Sequence, residues 1–276
     1  MLKIDFKNDK VDFWKIVTFS KQKKISVYDI IKQAYDQKVL SDINDEILFK
    51  FIEHIKNLKI QSYSQILQDI FAYFIIENKF DNTFLEFGAT NGISLSNTFM
   101  LEKELGWSGL LAEPDIQWID ALKKNRPNTK VITKCIWKKS EEKLNFFSSD
   151  MGELSTLEEF KFNELQSMPV NTQVRNKSGK NIIVDTISLN DVVKKNFKGI
   201  CPSYISVDTE GSEFEILNSF NFSDYRPAVF TVEHNFTKAE KQIDELMKNE
   251  NYTRIFKKLT VFDAWYVSNE AFNSIL

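Results

Sequence analysis

The chain has 276 residues, 42% of them hydrophobic and 27% charged, with 24 phenylalanines and a formal net charge of −3. This length and apolar content suit one large α/β domain with at most a small appendage, and they exclude a disordered chain. The acidic balance, with a pI of about 5.7, argues against a general nucleic-acid binder, which is normally basic.

The N-terminal stretch MLKIDFKNDKVDFWK is charged throughout and lacks the apolar centre of a signal peptide. No run in the chain approaches the roughly 18 apolar residues of a membrane span, so a cytoplasmic location is expected, and a homo-oligomer is compatible with these bounds. Residues 1–80 read as a mostly helical extension. Ile47, Leu48, Phe51, Ile52, Ile55 and Leu58 recur at helical spacing within 43–58, as do Ile66, Leu67, Ile70, Phe71, Phe74 and Ile75 within 63–78, with Ser62 or Ser64 as a cap. His54, on the first of these helices, reads as structural.

From residue 81 the pattern changes. Thr83–Phe87, Gly109–Ala112, Lys130–Thr133, Tyr204–Val207 and Ala228–Val232 read as buried strands, with helices expected over 93–105, 116–125, 188–195, 212–219 and 237–250. Such alternation implies a parallel sheet covered on both faces. Two places break it. Residues 142–184 lack a clean helix and carry strand pieces at Leu144–Phe147 and Ile182–Val184, so an insertion over about 143–184 is expected to form a lid over a substrate. Its Ser148, Ser149, Arg175, Lys177 and Lys180 are candidates to meet hydroxyls or a phosphate. At the end of the chain, Thr253–Phe256 and Val261–Val267 read as an antiparallel pair. Cys135 and Cys201 have no metal-ligand spacing and read as small buried residues.

The stretch FLEFGATNGISLS, residues 84–96, is a strand running into a glycine-containing loop. In open α/β sheets the ligand lies beyond the carboxyl ends of the strands, and Gly88 and Gly92 would let the backbone approach it. Glu113, at the end of the next strand, stands where an acid accepts both hydroxyls of a ribose. A dinucleotide site would want a tight glycine triplet and a helix N-terminus free for pyrophosphate. Here Thr90 occupies the middle position and Glu86 precedes the loop, which suits a ligand bearing an ammonium and a sulfonium, S-adenosylmethionine.

The pieces YSQILQD (63–69), LEFGATNGISLS (85–96), WSGLLAEPD (107–115), VDTISLNDV (184–192), YISVDTEGSEFEIL (204–217) and FTVEHN (230–235) stand in order. As a set they resemble the FkbM-type S-adenosylmethionine-dependent methyltransferases over about residues 63–240. The resemblance implies a class I methyltransferase fold, a Rossmann-like α/β architecture. Its seven-stranded sheet is mostly parallel with an antiparallel last strand, here over 81–276. It further implies Glu86, Phe87, Gly88, Ala89 and Gly92 as the methionine-end loop and Glu113 as the ribose acid. Pro114, Asp115 and Ile136 would stand at the adenine, and Gln65, Gln68 and Asp69 on a helix that closes over the cofactor. Where the family often has Lys or Arg two residues before the acid of D-x-E-G, this chain has Ser206.

Methyl transfer to a hydroxyl needs a base, a metal ion, or both. Asp208 and Glu210 leave one central strand, and Glu233, His234 and Asn235 leave its neighbour. Asp208, Glu233 and His234 are candidate ligands for Mg2+ or Mn2+. Alternatively His234 is a general base oriented by Asp208 or Glu210. Ser212 reads as the cap of the helix after Glu210. The expected reaction is O-methylation of a sugar hydroxyl on a small-molecule or nucleotide-sugar substrate, nucleotide-linked or within a surface polysaccharide. N-methylation of a small amine, an NAD-dependent sugar-modifying enzyme, and a silent cofactor-binding protein are the alternatives. The NAD reading lacks a Tyr-x-x-x-Lys pair, since Tyr252 is followed by Phe256.

Overall fold

The computed structural model describes residue 6 and residues 10–40, 45–163 and 169–276. Its helices are α1 (Phe13–Lys23), α2 (Val27–Asp36), α3 (Asp45–Asn57), α4 (Gln68–Ile76), α5 (Phe99–Leu105), α6 (Ile116–Asn125), α7 (Pro169–Lys177), α8 (Leu189–Asn196), α9 (Glu213–Asn218), α10 (Ala239–Asn249) and α11 (Asn269–Asn273). Its strands are β1 (Thr83–Phe87), β2 (Ser108–Ala112), β3 (Lys130–Ile132), β4 (Cys135–Trp137), β5 (Lys143–Ser149), β6 (Thr156–Leu157), β7 (Gly179–Ser188), β8 (Tyr204–Val207), β9 (Val229–Glu233), β10 (Tyr252–Ile255) and β11 (Asp263–Ser268).

Seven strands make the main sheet in the order β10-β11-β9-β8-β1-β2-β3. The ladders β9–β8, β8–β1, β1–β2 and β2–β3 are parallel, and β11 runs antiparallel to both of its neighbours. The strand order reverses between β1 and β8, which makes their carboxyl ends the switch point where α/β sheets bind ligands. This is the class I architecture expected from the sequence. One face of the sheet shares a single apolar cluster with α1 to α4, uniting Phe13, Phe51, Phe71, Phe84 and Trp265. The other face packs α8, α9 and α10.

A second sheet, β4-β7-β5-β6, joins the insertion's strands to β4. The long β5–β7 hairpin pairs Lys143 with Asp185 through to Ser149 with Gly179. Inside it lies α7, where the sequence reading expected no helix. Its segment PVNTQVRNK buries only Thr172 and Arg175, so it has no apolar stripe to betray it.

Two other helices start later than expected, and buried acids explain both. Asp69 accepts hydrogen bonds from Ser62 Oγ (2.7 Å), the Tyr63 N–H (2.9 Å) and Ser64 Oγ (2.8 Å). The serines therefore fold a loop onto the helix rather than cap it at residue 63. Likewise residues 91–98 form a loop, because Ser96, Asn97 and Thr98 turn inward to Glu86. Arg126, fully buried, secures that loop from the end of α6. It donates to the Gly92 carbonyl (3.1 Å), Ser96 Oγ (3.3 Å) and Thr98 Oγ1 (3.1 Å), and forms an ion pair with Glu102. Gly92 permits this contact: a Cβ there would stand 2.8 Å from Arg126 Cγ, at φ +78°.

Removing one partner of a buried ion pair leaves the other uncompensated. Arg126→Met should therefore lower the unfolding free energy by about 3 kcal/mol in urea denaturation. An unchanged midpoint would show that the loop is held by other means.

Candidate active site

The ends of β1 and β8 meet at one close contact. Gly88 has φ +67°, and a Cβ on it would lie 2.1 Å from the Asp208 carbonyl oxygen. Only glycine lets the two strand ends close on each other here. Above this contact opens a cavity of about 410 Å3, within the roughly 300–1,000 Å3 of small-molecule sites.

Phe87, Gly88, Ala89, Thr90, Glu86 and Glu113 line one end of it, with Pro114, Ile136 and the insertion's Phe146 and Leu157 beside them. Glu113 is almost fully buried. One of its oxygens accepts the Thr90 N–H and the other the Asp115 N–H, both at 2.8 Å. Each oxygen keeps a further lone pair for a ligand. Burial raises the Glu113 carboxyl to about 7, against the pull of those two N–H groups. Glu86 is equally buried, and burial raises it too. Both of its oxygens are engaged by Ser96, Thr98 and the Asn97 N–H (2.7 Å).

Four residues expected at this end do not line the cavity. Asp115 does not line the cavity. It caps α6 and accepts from Ser148 Oγ (3.1 Å) and Ser155 Oγ (2.8 Å), tying the insertion to the sheet. Gly92 packs on α6 as described. Gln68 donates to Asp263 at 2.7 Å and lines only a small polar chamber of about 10 Å3 behind the main cavity. Asp69 is spent on its own loop, while Gln65 does reach the cavity.

Next to the Gly88 contact stand Asp208, Glu210 and Glu233, each offering a carboxylate oxygen within 4.8 Å of the others. Burial raises both Asp208, to about 7, and Glu233. Negative neighbours add to it, Glu213 at Asp208 and Asp208 itself at Glu233. The two carboxyls thus favour sharing a proton. Glu210 is held in the left-handed region, φ 58°. It is paired with buried Arg175 at 2.7 Å, and the Arg175 Nε also donates to the Leu154 carbonyl at 2.8 Å.

His234 does not join them. The structure turns its ring out of the cavity: Nδ1 accepts the Phe236 N–H at 3.1 Å, and Nε2 lies 3.2 Å from Arg254. Burial, aided by the Arg254 charge and opposed by Glu240, lowers it to about 4. His234, expected as base or metal ligand, is thus not among the residues lining the cavity or in the carboxylate cluster. Side chains alternate along a strand, so Glu233 and His234 leave β9 on opposite sides. Ser212 is also corrected as a side-chain cap: its hydroxyl donates to Thr209, and Glu213 accepts the Thr209 and Gly211 N–H groups instead. Of the insertion's candidates, Arg175 serves Glu210, Ser148 serves Asp115, and Lys177 and Lys180 are exposed outside the cavity.

Several lining residues carried no motif. They are Asn97, which donates to Ser206 Oγ at 2.9 Å, and the apolar Trp14, Phe236 and Phe262. The whole lining includes six carboxylates, Glu86, Glu113, Glu153, Asp208, Glu210 and Glu233. Among the described residues no Lys, Arg or His lines it.

The sheet order and the acids around its switch point define a class I methyltransferase architecture. The model of the Methyltransferase FkbM domain family matches residues 86–258, and the chain belongs to that family. No curated protein matches the chain. A crystal structure of a methyltransferase FkbM from Methylobacillus flagellatus KT is similar, with a TM-score of 0.42 and 12% identity, over 87% of this chain and 57% of that one. This chain thus spans a little over half the length of that protein. No helix among the described residues is long and apolar enough to cross a membrane.

The buried acid Asp263 gives a sharp test of this environment, because burial raises its folded pKa to about 7. The unfolded chain loses that proton near pH 4, so the native state alone holds it between about 4 and 7. Its contribution is therefore fully present below pH 4 and lost as the pH rises through 7. Asp263→Asn keeps an acceptor for Gln68 and does not titrate. Its stability relative to the parent should rise from near zero at pH 4 to on the order of 1–3 kcal/mol at pH 8. A difference that stays constant across that range, measured by thermal or urea unfolding, would contradict the assignment.

Proposed function

We propose that the chain is an S-adenosylmethionine-dependent methyltransferase that methylates a sugar hydroxyl, with residues 81–276 as the catalytic unit and 1–80 as an extension that completes its cavity wall. Glu113 carries the reading: a buried carboxylate at the end of β2, each oxygen fixed by one backbone N–H with capacity left over. That is the donor–acceptor complement of a ribose diol. The apolar Pro114, Ile136 and Phe146 beside it suit a purine, and the glycine at 88 keeps the strand ends low enough for the methionine end to pass. When bound, the cofactor supplies an electrophilic methyl on a cationic sulfur, which the anionic lining favours.

In this reading Asp208 accepts the acceptor's proton as the carbon–oxygen bond forms. Glu233 beside it shares the charge, and Glu210, fixed by Arg175, orients the acceptor. Glu86 acts indirectly, by shaping the loop of residues 96–98. Among the described residues the lining carries no cation for a diphosphate, which speaks against NAD and favours an unphosphorylated acceptor over a nucleotide-linked one. Amine N-methylation remains the alternative that the same acidic lining would serve.

A divalent ion is a second reading, resting on the cluster Asp208, Glu210 and Glu233 and on Glu233 Oε2, a buried oxygen with no hydrogen-bond partner among the described residues. Mg2+ or Mn2+ would be held there by carboxylate oxygens, with His234 excluded. Loss of activity in EDTA, restored by either ion, would select it, whereas indifference to chelator would leave Asp208 as the base.

Two further outcomes follow. Asp208→Asn should cut kcat by about 10²–10⁴-fold while S-adenosylhomocysteine binds as before; normal turnover would remove Asp208 from the chemistry. The ionised Glu113 accepts both ribose hydroxyls, and its folded carboxyl sits raised to about 7. Affinity for S-adenosylhomocysteine should therefore fall roughly tenfold from pH 8 to pH 6 in calorimetry. Glu113→Gln should bind weakly with no such pH dependence.

A further inference from the structure

Trp14 is an exposed aromatic residue with no core to belong to. Its neighbour Phe13 is fully buried, stacked on Trp265 with ring centroids 5.4 Å apart, while Trp14 is 44% exposed and lines the cavity mouth. Leu95 (43%) and Phe236 (47%) are exposed at the same mouth, with Phe262 beside them. Scattered exposed apolar side chains need no explanation, but a group of them around one cavity marks a binding surface.

These residues are held in place. The Phe13 N–H donates to the Leu259 carbonyl at 3.0 Å, so α1 is fastened to the β10–β11 turn that carries Phe262. The Phe262 carbonyl in turn accepts the N–H groups of His234 (2.9 Å) and Asn235 (3.1 Å). His234 Nδ1 fixes the Phe236 N–H, with Phe236 at φ 55°. The ring that looked like a base is thus a brace for this wall.

We propose that Trp14, Leu95, Phe236 and Phe262 form the acceptor subsite, and that it takes the C–H face of an unphosphorylated sugar ring. The proposal rests on the methyltransferase reading above. The aromatic face is electron-rich and meets polarised C–H groups favourably. In the same cavity, Asp208, Glu233 and Gln65 present acceptors and an amide to ring hydroxyls. A sugar has both surfaces on one small body, whereas an acyl chain would set its apolar end against carboxylates at the cost of desolvating them. A phosphate or nucleotide diphosphate would enter among six carboxylates with no cation in the described lining. Trp14 also lies outside the family-matched residues 86–258, so the choice of acceptor would depend on a segment separate from the methyl-donor site.

The test uses the full chain labelled with 5-fluorotryptophan, with the Trp14 19F resonance assigned by its loss in Trp14→Phe. S-adenosylhomocysteine is added to saturation. The methyl glycosides of glucose, galactose and rhamnose are then titrated, with UDP-glucose as the phosphorylated probe. At least one glycoside should shift the Trp14 resonance saturably, and UDP-glucose should not. Trp14→Ala should weaken that glycoside at least fivefold by calorimetry and leave S-adenosylhomocysteine affinity unchanged. Tighter binding of UDP-glucose than of every glycoside, or no glycoside shift with S-adenosylhomocysteine bound, would overturn the subsite. A glycoside shift in a protein that does not bind S-adenosylhomocysteine would instead overturn the methyltransferase reading and keep the subsite.

Discussion

The close approach of β1 to β8 at Gly88 and Asp208 is the contact on which the cavity depends. A parallel sheet whose order reverses leaves a crevice at that point, and how deep it is depends on how near the two strand ends can come. With a Cβ position only 2.1 Å from the Asp208 carbonyl, the chain tolerates nothing larger than glycine. The consequence reaches both ends of the site. On the β1 side the backbone runs low past Ala89 to Thr90, whose N–H then reaches Glu113. On the β8 side Asp208 is brought to the cavity floor, beside Glu233 from the next strand.

The second constraint is charge. Six carboxylates share one lining with no described cation among them, and desolvation raises Glu86, Glu113, Asp208 and Glu233 together. Such a site favours protonation, or a cationic guest that replaces the missing positive charge. Nearby arginines do not supply it. Arg126 is committed to the loop behind Glu86, and Arg175 to Glu210 and the Leu154 carbonyl. The described basic residues stabilise the walls and leave the carboxylates of the lining without a cation.

Much of the fold was legible because period-2 and period-3.6 patterns are strong in the core. The five parallel strands were read within a residue or so of their ends, and the antiparallel C-terminal pair followed from two apolar runs with a short turn. What the patterns hid were elements organised by buried polar groups. The helix beginning at Gln68 was read too long because Ser62 and Ser64 look like caps until Asp69 is seen to take their hydroxyls. The loop at 91–98 was read as helix because Glu86, ten residues upstream of Ser96, draws its side chains inward. Helix α7 was missed because it is anchored by an arginine, not by an apolar face.

The site shows the same division, and strand parity accounts for where His234 lies. Glu113 and Asp208 directly follow strands and Glu233 ends one, and alternation along a strand turns successive side chains to opposite sides. In VEHN that rule gives Glu233 to the site and His234 to the packed side, where Arg254 and the Phe236 N–H receive it. Chemical reputation favoured the histidine, whereas geometry favoured the carboxylate. Trp14 escaped for the opposite reason. It is more than 70 residues before the first motif glycine, and only the fastening of Phe13 to Leu259 brings it to the mouth. Residues that bind through a local motif can be read from a sequence, but those delivered by a tertiary anchor become visible only when the anchor is.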